Sequence, residues 1–343
     1  MKDKKILMTF LLFFAIISLI SKTETVTTAC QNALKLCAVS VIPALFPFFV
    51  MTGLMVNTGV VAFLGKLLAP ISKVLFKTSG TGAVVFIIGI LCGYPTGAKV
   101  ISDLYLNGKL TKEESERLLA FCNNSGPLFV IGAVGAGMLG NKQSGMLLYC
   151  IHALSAVITG VFLSFFAKKK ELKVPIDMNV VSLGEAFTQS VESAVKSILN
   201  VCGYVVFFAC FLSVVSPYIP GVFIKSLFEV TVGAKYIISS GFSKEHILTL
   251  LSGTIGFGGF CVYFQVRGAV AKARLSTGCY LFGKTLQMTV SMIIMKIYLF
   301  INSDVEAFAP VATVRTAFHI SYVMLFAFLL CLVFTLRRLT KKI

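Results

Sequence analysis

Apolar residues run along this chain in long, nearly unbroken blocks rather than in the alternation of a strand or the narrow stripe of a surface helix. The clearest blocks cover residues 6–20, 36–56, 118–139, 144–166, 196–216, 285–301 and 316–334. A helix rises 1.5 Å per residue and a hydrocarbon layer is roughly 30 Å thick, so each block predicts a membrane-spanning helix, the first only with its flanks. Two further blocks, 82–100 and 246–266, are interrupted by clusters of Gly and Pro. They predict broken or re-entrant helices, the kind that line binding sites in transporters. The fold class that follows is an all-α multipass membrane protein with about 7–10 transmembrane helices. Segments 61–76, with Lys66 and Lys73, and 223–238, with Lys225, Glu229 and Lys235, are amphipathic instead and predict helices lying along the interface.

Charged positions orient the spans. Lys2, Lys4 and Lys5 precede the block 6–20, and no small-residue cleavage site follows it, so residues 1–28 read as a signal anchor with its head inside. Lys168, Lys169 and Lys170, and the final run from Arg337 to Lys342, read as cytoplasmic. Arg267, Lys272, Arg274 and Lys284 crowd a loop that strict inverted symmetry would place outside, which leaves the second-half topology open.

Composition narrows the class. Of 343 residues 57% are hydrophobic and 13% charged, which a soluble globular chain does not sustain, so the protein is an integral membrane protein partnered by the lipid bilayer. The net charge of +17 belongs at the cytoplasmic ends of helices, and no nucleic-acid partner is expected. The ten cysteines are spread singly without a CxxC pair, and His152, His246 and His319 share no ligand spacing, so neither a metal nor a cofactor is expected. The fingerprint-like Gly135-Ala136-Gly137-Met138-Leu139-Gly140 ends a hydrophobic span with no strand before it and reads as helix packing. No nucleophile and base stand together, and an enzyme is not expected.

The halves share an order of features. A span ending in Phe46-Pro47-Phe48-Phe49, an amphipathic segment and the glycine-broken Gly89–Gly97 stretch are followed later by a span holding Val206-Phe207-Phe208, a second amphipathic segment and Gly253–Gly259. By letters, Gly93-Tyr94-Pro95 falls against Gly256-Phe257-Gly258. Such order predicts a duplication within a single membrane domain, 1–343: a first repeat at 29–140, a linking span and loop at 141–190, a second repeat at 191–301, and a C-terminal span with a basic tail at 302–343.

Three segments could carry a site. In Gly93-Tyr94-Pro95-Thr96-Gly97-Ala98-Lys99 the proline removes a donor and the glycines permit a turn, so a helix should break and free backbone groups for a ligand, with Lys99 and Asp103 following at i and i+4. The alternative is a small-residue stripe, Gly89, Gly93 and Gly97, for close packing. In Asn123-Asn124-Ser125-Gly126-Pro127, amides that are costly in hydrocarbon either meet a substrate or satisfy the helix break. The third segment is Gly258 with Gln265 and Arg267 after it; Arg267 offers a fork for a carboxylate or belongs to a solvated basic loop. Thr111 with Glu114 three residues on predicts a capping box opening the next helix.

Residues 93–99, the run from Leu110 to Pro127 and Ile131-Gly132-Ala133-Val134-Gly135 resemble the sporulation integral membrane proteins of the YlbJ/SpoVV type, most specifically over 89–135 and across approximately 30–335. The resemblance implies nucleoside-recognition, or Gate, domain repeats related to a repeat of the concentrative nucleoside transporters. It implies a location in the cell membrane or the mother-cell-derived membrane around the forespore, a need in spore cortex formation, and movement of dipicolinic acid. A planar aromatic dicarboxylate suits the chemistry on offer: amides of Asn123 and Asn124, backbone groups at Gly93–Gly97, and a cation at Lys99 or Arg267. The leading expectation is a transporter or facilitator of a small organic anion. The alternatives are a nucleoside transporter and a non-transporting scaffold for sporulation factors; glycine-rich spans also allow a homo-oligomer.

Overall fold

The computed structural model describes residues 2–167 and 182–302, so the expected span at 316–334 and both basic runs lie outside the described residues. Every regular element among the described residues is helical. Helix α1 covers Lys2–Ser21; α2 (Thr23–Leu36) runs through one wider turn at Cys37–Val41 into α3 (Ile42–Asn57). Then come α4 (Val60–Leu75), α5 (Gly80–Cys92), α6 (Thr96–Leu106), α7 (Lys112–Cys122), a wide-turn segment at Leu128–Met138, α8 (Lys142–Ser164) and α9 (Leu183–Val215). Two short helices, α10 (Val222–Ser226) and α11 (Val230–Ile238), precede α12 (Lys244–Phe257), α13 (Gly259–Ala269) and α14 (Gly278–Ile301).

Five stretches among the described residues are long and apolar enough to cross a membrane: Thr23–Asn57, Lys142–Ser164, Leu183–Tyr218, Lys244–Ala269 and Gly278–Ile301. Helices α4 and α5, bent by 91° at their junction, meet the same test together. The first amphipathic segment is therefore one arm of a bent pair, a broken span or a re-entrant loop, while the second is split into α10 and α11. The block 118–139, expected as one span, is divided between α7 and Leu128–Met138, because Asn123 to Pro127 interrupt the helical hydrogen bonding.

Helix α7 ties several turns together. Thr111 Oγ1 accepts from Glu114 N at 3.2 Å, giving the expected cap. The Glu114 carboxylate does not complete the box; it reaches across to accept from Ser79 N at 2.6 Å, at the start of α5. Arg117 donates to the carbonyls of Phe76 and Lys77 beyond the end of α4, and Glu116 accepts from Ser276 N just before α14.

The order α3, α4, break in α5–α6, α7 recurs as α9, α10–α11, break in α12–α13, α14. Each break turns on a glycine of positive φ that ends its helix, Gly93 at φ 82° after α5 and Gly258 at φ 84° after α12, although their ψ angles differ, 171° against −19°. The structural counterpart of Gly93 is thus Gly258, two residues beyond the letter match at Gly256, which instead stays inside α12 and packs on Ser291. One apolar core joins α4–α7 with α13 and the start of α14 through Ile101, Leu118, Phe121 and Tyr280. A second joins Leu128–Met138, α8, α11, α12 and the end of α14 through Val130, Leu148, Leu251 and Met295.

Candidate functional site

Where the first core gives way to the second, three elements each carry polar side chains into the interior. Helix α7 ends at Cys122, and the four residues after it bear amide, hydroxyl and glycine groups before the chain coils again. Gly89 of α5 and Gly97 of α6 both lie directly on the Cys122 carbonyl, where any Cβ would overlap it. Gly93 approaches Gly126, its would-be Cβ 3.0 Å from Gly126 N, so the two interruptions of the first half touch. The packing account of the glycines therefore holds for Gly89 and Gly97, and the turning account for Gly93.

Orphan groups at the broken ends are largely satisfied from neighbouring elements. Asn123 Oδ1 accepts from Ala98 N at 3.4 Å, in the first turn of α6. At the second break the amides of Phe260 and Cys261 donate to the carbonyls of Leu227 and Phe228, at 2.7 and 2.8 Å. The loop between α10 and α11 thus caps α13 with backbone, the service Asn123 performs for α6.

Beside these breaks sits a buried network centred on Asn124. Its Nδ2 donates to Phe121 O at 2.7 Å, which fixes the orientation of the amide and presents Oδ1 inward. That oxygen accepts from Lys284 Nζ at 3.2 Å and from Gln287 Nε2 at 3.1 Å, using both lone pairs. Lys284 Nζ also donates to Gln287 Oε1 at 2.8 Å. Gln287 Nε2 lies 3.4 Å from both the carbonyl and Nδ1 of His152, whose Nε2 accepts from Ser125 N at 3.0 Å. Because Nε2 is an acceptor, the proton of the neutral ring belongs on Nδ1.

Lys284 is 1% exposed, and no carboxylate among the described residues pairs with it. An isolated ammonium in a low-dielectric interior is costly unless held by strong acceptors or a counter-charge. Two amide oxygens hold it here. The packing of Gly283 on the backbone of Ala120 brings it to the carbonyl end of α7, where the helix dipole favours positive charge. An ammonium has three N–H donors, and two of them are used.

Next to the network lies a set of buried polar atoms that make no hydrogen bond: Tyr94 OH, Thr96 Oγ1, Asn123 Nδ2, Ser125 Oγ and Tyr280 OH, with Gln265 Oε1 on α13. The Tyr94 hydroxyl neighbours Ser125, and that of Tyr280 neighbours Asn123, yet neither pair reaches bonding length and angle. Left unpartnered, each such atom would cost about 1–3 kcal/mol of lost solvation, so this set needs water or another polar partner. The second break closes on the same spot: a Cβ on Gly258 would stand 3.6 Å from the Tyr94 ring. The Tyr94–Pro95 bond at its centre is cis.

Of the residues expected to form a site, Gly93, Tyr94, Thr96, Asn123, Asn124, Ser125 and Gly258 meet here, with Pro95 in the turn and Gly97 packed on the Cys122 carbonyl. Gln265 is buried close by, its Nε2 3.4 Å from Cys261 Sγ. Lys99 is instead paired with Asp103 at 3.0 Å, as its spacing predicts, and Arg267 is exposed at the last turn of α13. The cation within the site is Lys284, and with Gln287 and His152 it completes the network. The sequence carried a signal for two of these three. Lys284, Gln287 and Ser291 recur at helical spacing in an otherwise apolar block, a buried polar stripe within a span. His152, alone in its block, carried none.

Several apolar helices of membrane-crossing length, one of them broken at Gly258, define a multipass integral membrane protein. Residues 38–142 match the Gate family, described as nucleoside recognition, so the match takes in α3 to α7 and Asn124 but stops short of His152, Lys284 and Gln287. The chain is similar to the sporulation integral membrane protein YlbJ of Bacillus subtilis strain 168, at 28% identity over 328 residues, 83% of this chain and 80% of that protein. No solved structure matches it.

Proposed function

We propose that the protein is a transporter or facilitator for a small organic anion, acting in the membranes of a sporulating cell. The observation that carries the proposal is Lys284: a buried ammonium with a free N–H and no carboxylate partner among the described residues is completed by an anionic ligand. Around it, Asn123 Nδ2 and the hydroxyls of Tyr94, Ser125 and Tyr280 supply unused donors, which suits an anion with more than one carboxylate oxygen. Sporulation comes from the similarity to YlbJ; dipicolinate, a planar aromatic dicarboxylate, is the substrate proposed because its two carboxylates suit these donors. Asn124 is buried, so in this reading the surrounding helices must part for ligand to exchange.

The test is thermal stability of the purified protein with dipicolinate, since a ligand that binds only the folded state raises its stability. Stabilisation in the wild type and its loss in Asn124→Ala is the expected result. Stabilisation by uridine and by no organic anion would instead favour a nucleoside substrate, a reading supported by the Gate description and by the amide-rich network.

A further inference from the structure

The oxygens that hold Lys284 are those an alkali cation would choose. Asn124 Oδ1 and Gln287 Oε1 are neutral amide acceptors 3.2 and 2.8 Å from Nζ, and Phe121 O anchors the first of them. The ammonium stands at the carbonyl end of a helix that stops within the bundle, where transporters with broken helices place their coupling cations. Carbonyl and amide oxygens can replace the hydration shell of a monovalent cation, and the same kind of oxygen accepts from an ammonium. Here the position is filled by a side chain that cannot leave.

We propose that Lys284 is a built-in counter-cation: it occupies a monovalent-cation site made by Asn124, Gln287 and the end of α7, so that the anion is bound without a sodium or potassium ion. The idea rests on the anion reading for its purpose but not for its test. A soluble cation would have to bind and leave in each cycle; a tethered one requires only that the anion form and break its contact with Nζ. Two positive charges could not share these two oxygens, because like charges a few ångströms apart in a low-dielectric interior repel strongly. An ion is therefore excluded for as long as the ammonium is present.

The experiment uses the full chain in detergent and no organic anion at all. Melting is followed in sodium, potassium and choline chloride at equal ionic strength, about 0.1 M, so that screening is constant. The wild type should melt at the same temperature in the three salts. Lys284→Ala leaves the oxygens and a space, and should melt at least about 3 °C higher in sodium or potassium than in choline, as a ligand of the folded state requires. Lys284→Met, which fills the space, should lose that selectivity. A wild type stabilised by sodium over choline would overturn the proposal, and so would a Lys284→Ala variant indifferent to the cation. Should the alanine variant not fold, Lys284→Ser is melted in the same three salts: stabilisation by sodium or potassium over choline supports the proposal, and indifference to the cation removes it. A cation-selective Lys284→Ala beside a wild type that ignores every organic anion would retain the counter-cation and reject the anion substrate.

Discussion

At Lys284 two costs oppose one another. Burying an ammonium carries an effective penalty of several kcal/mol, whereas two hydrogen bonds to amides return about 1.5–3 kcal/mol each. Lys284→Met removes the penalty and leaves Gln287 Oε1 without its donor, a loss of about 1–3 kcal/mol. The variant is therefore expected to melt no lower than the wild type by more than a few degrees while losing all stabilisation by dipicolinate; a collapse of the fold would show that the charge is structural. Asn124→Leu has the opposite sign. It strips acceptors from Lys284 and Gln287 together and should lower stability by about 3 kcal/mol or more, read as a fall in melting temperature. Asn123, Asn124 and Gly93 were legible in the sequence because polar and turn-forming letters interrupt apolar blocks where nothing else explains them. His152 was not, since a single histidine in a span has the same letters whether it packs or participates, and only the fold brings Ser125 N and Gln287 to its two nitrogens. Lys99 and Arg267 lie apart from this network, the one paired with Asp103 and the other exposed: charge shows in a sequence, but depth does not.

Among elements, the glycines divide by what stands opposite them. Gly89→Ala would drive a methyl group into the Cys122 carbonyl, backbone against backbone with no flexible side chain to yield. A loss of more than about 3 kcal/mol, seen as failure to purify a folded protein, is expected. Gly203, within α9, has nothing within 4 Å of its would-be Cβ, and Gly203→Ala should leave stability unchanged or raise it by up to about 1 kcal/mol. Both are glycines in apolar helices, and the sequence alone treats them alike. Helix α7 shows the same limit. Its capping residues were legible, yet the Glu114 carboxylate leaves its own helix for Ser79 N, which local pattern cannot foresee. Glu114→Ala should therefore loosen the α4–α5 turn, at about 1–3 kcal/mol, measured as earlier melting or faster amide exchange at residues 77–80.

Over the whole molecule, the class was set by composition, because apolar blocks of this length have no soluble alternative, whereas the number of crossings was not. The block 118–139 has the hydropathy of one span and the hydrogen bonding of two pieces, and only tertiary contacts can supply the ends it leaves open. The halves are interleaved rather than adjacent: α14 packs on α7 and α8, α9 on α3, and α13 on α6. Two fragments made separately by cutting between residues 168 and 181 should accordingly co-purify when expressed together, and neither should remain soluble in detergent alone. Independent folding of either fragment would mean that the shared core is dispensable.

The depth of the buried amides has a bearing that goes beyond any ligand. Asn123, Asn124 and Gln287 each have no exposed surface, with apolar cores on either side of them. Apolar packing on both sides leaves inorganic ions no wet path past these amides among the described residues. Vesicles containing the empty protein are expected to hold a potassium diffusion potential as long as protein-free vesicles do, with voltage-sensitive dye as the readout.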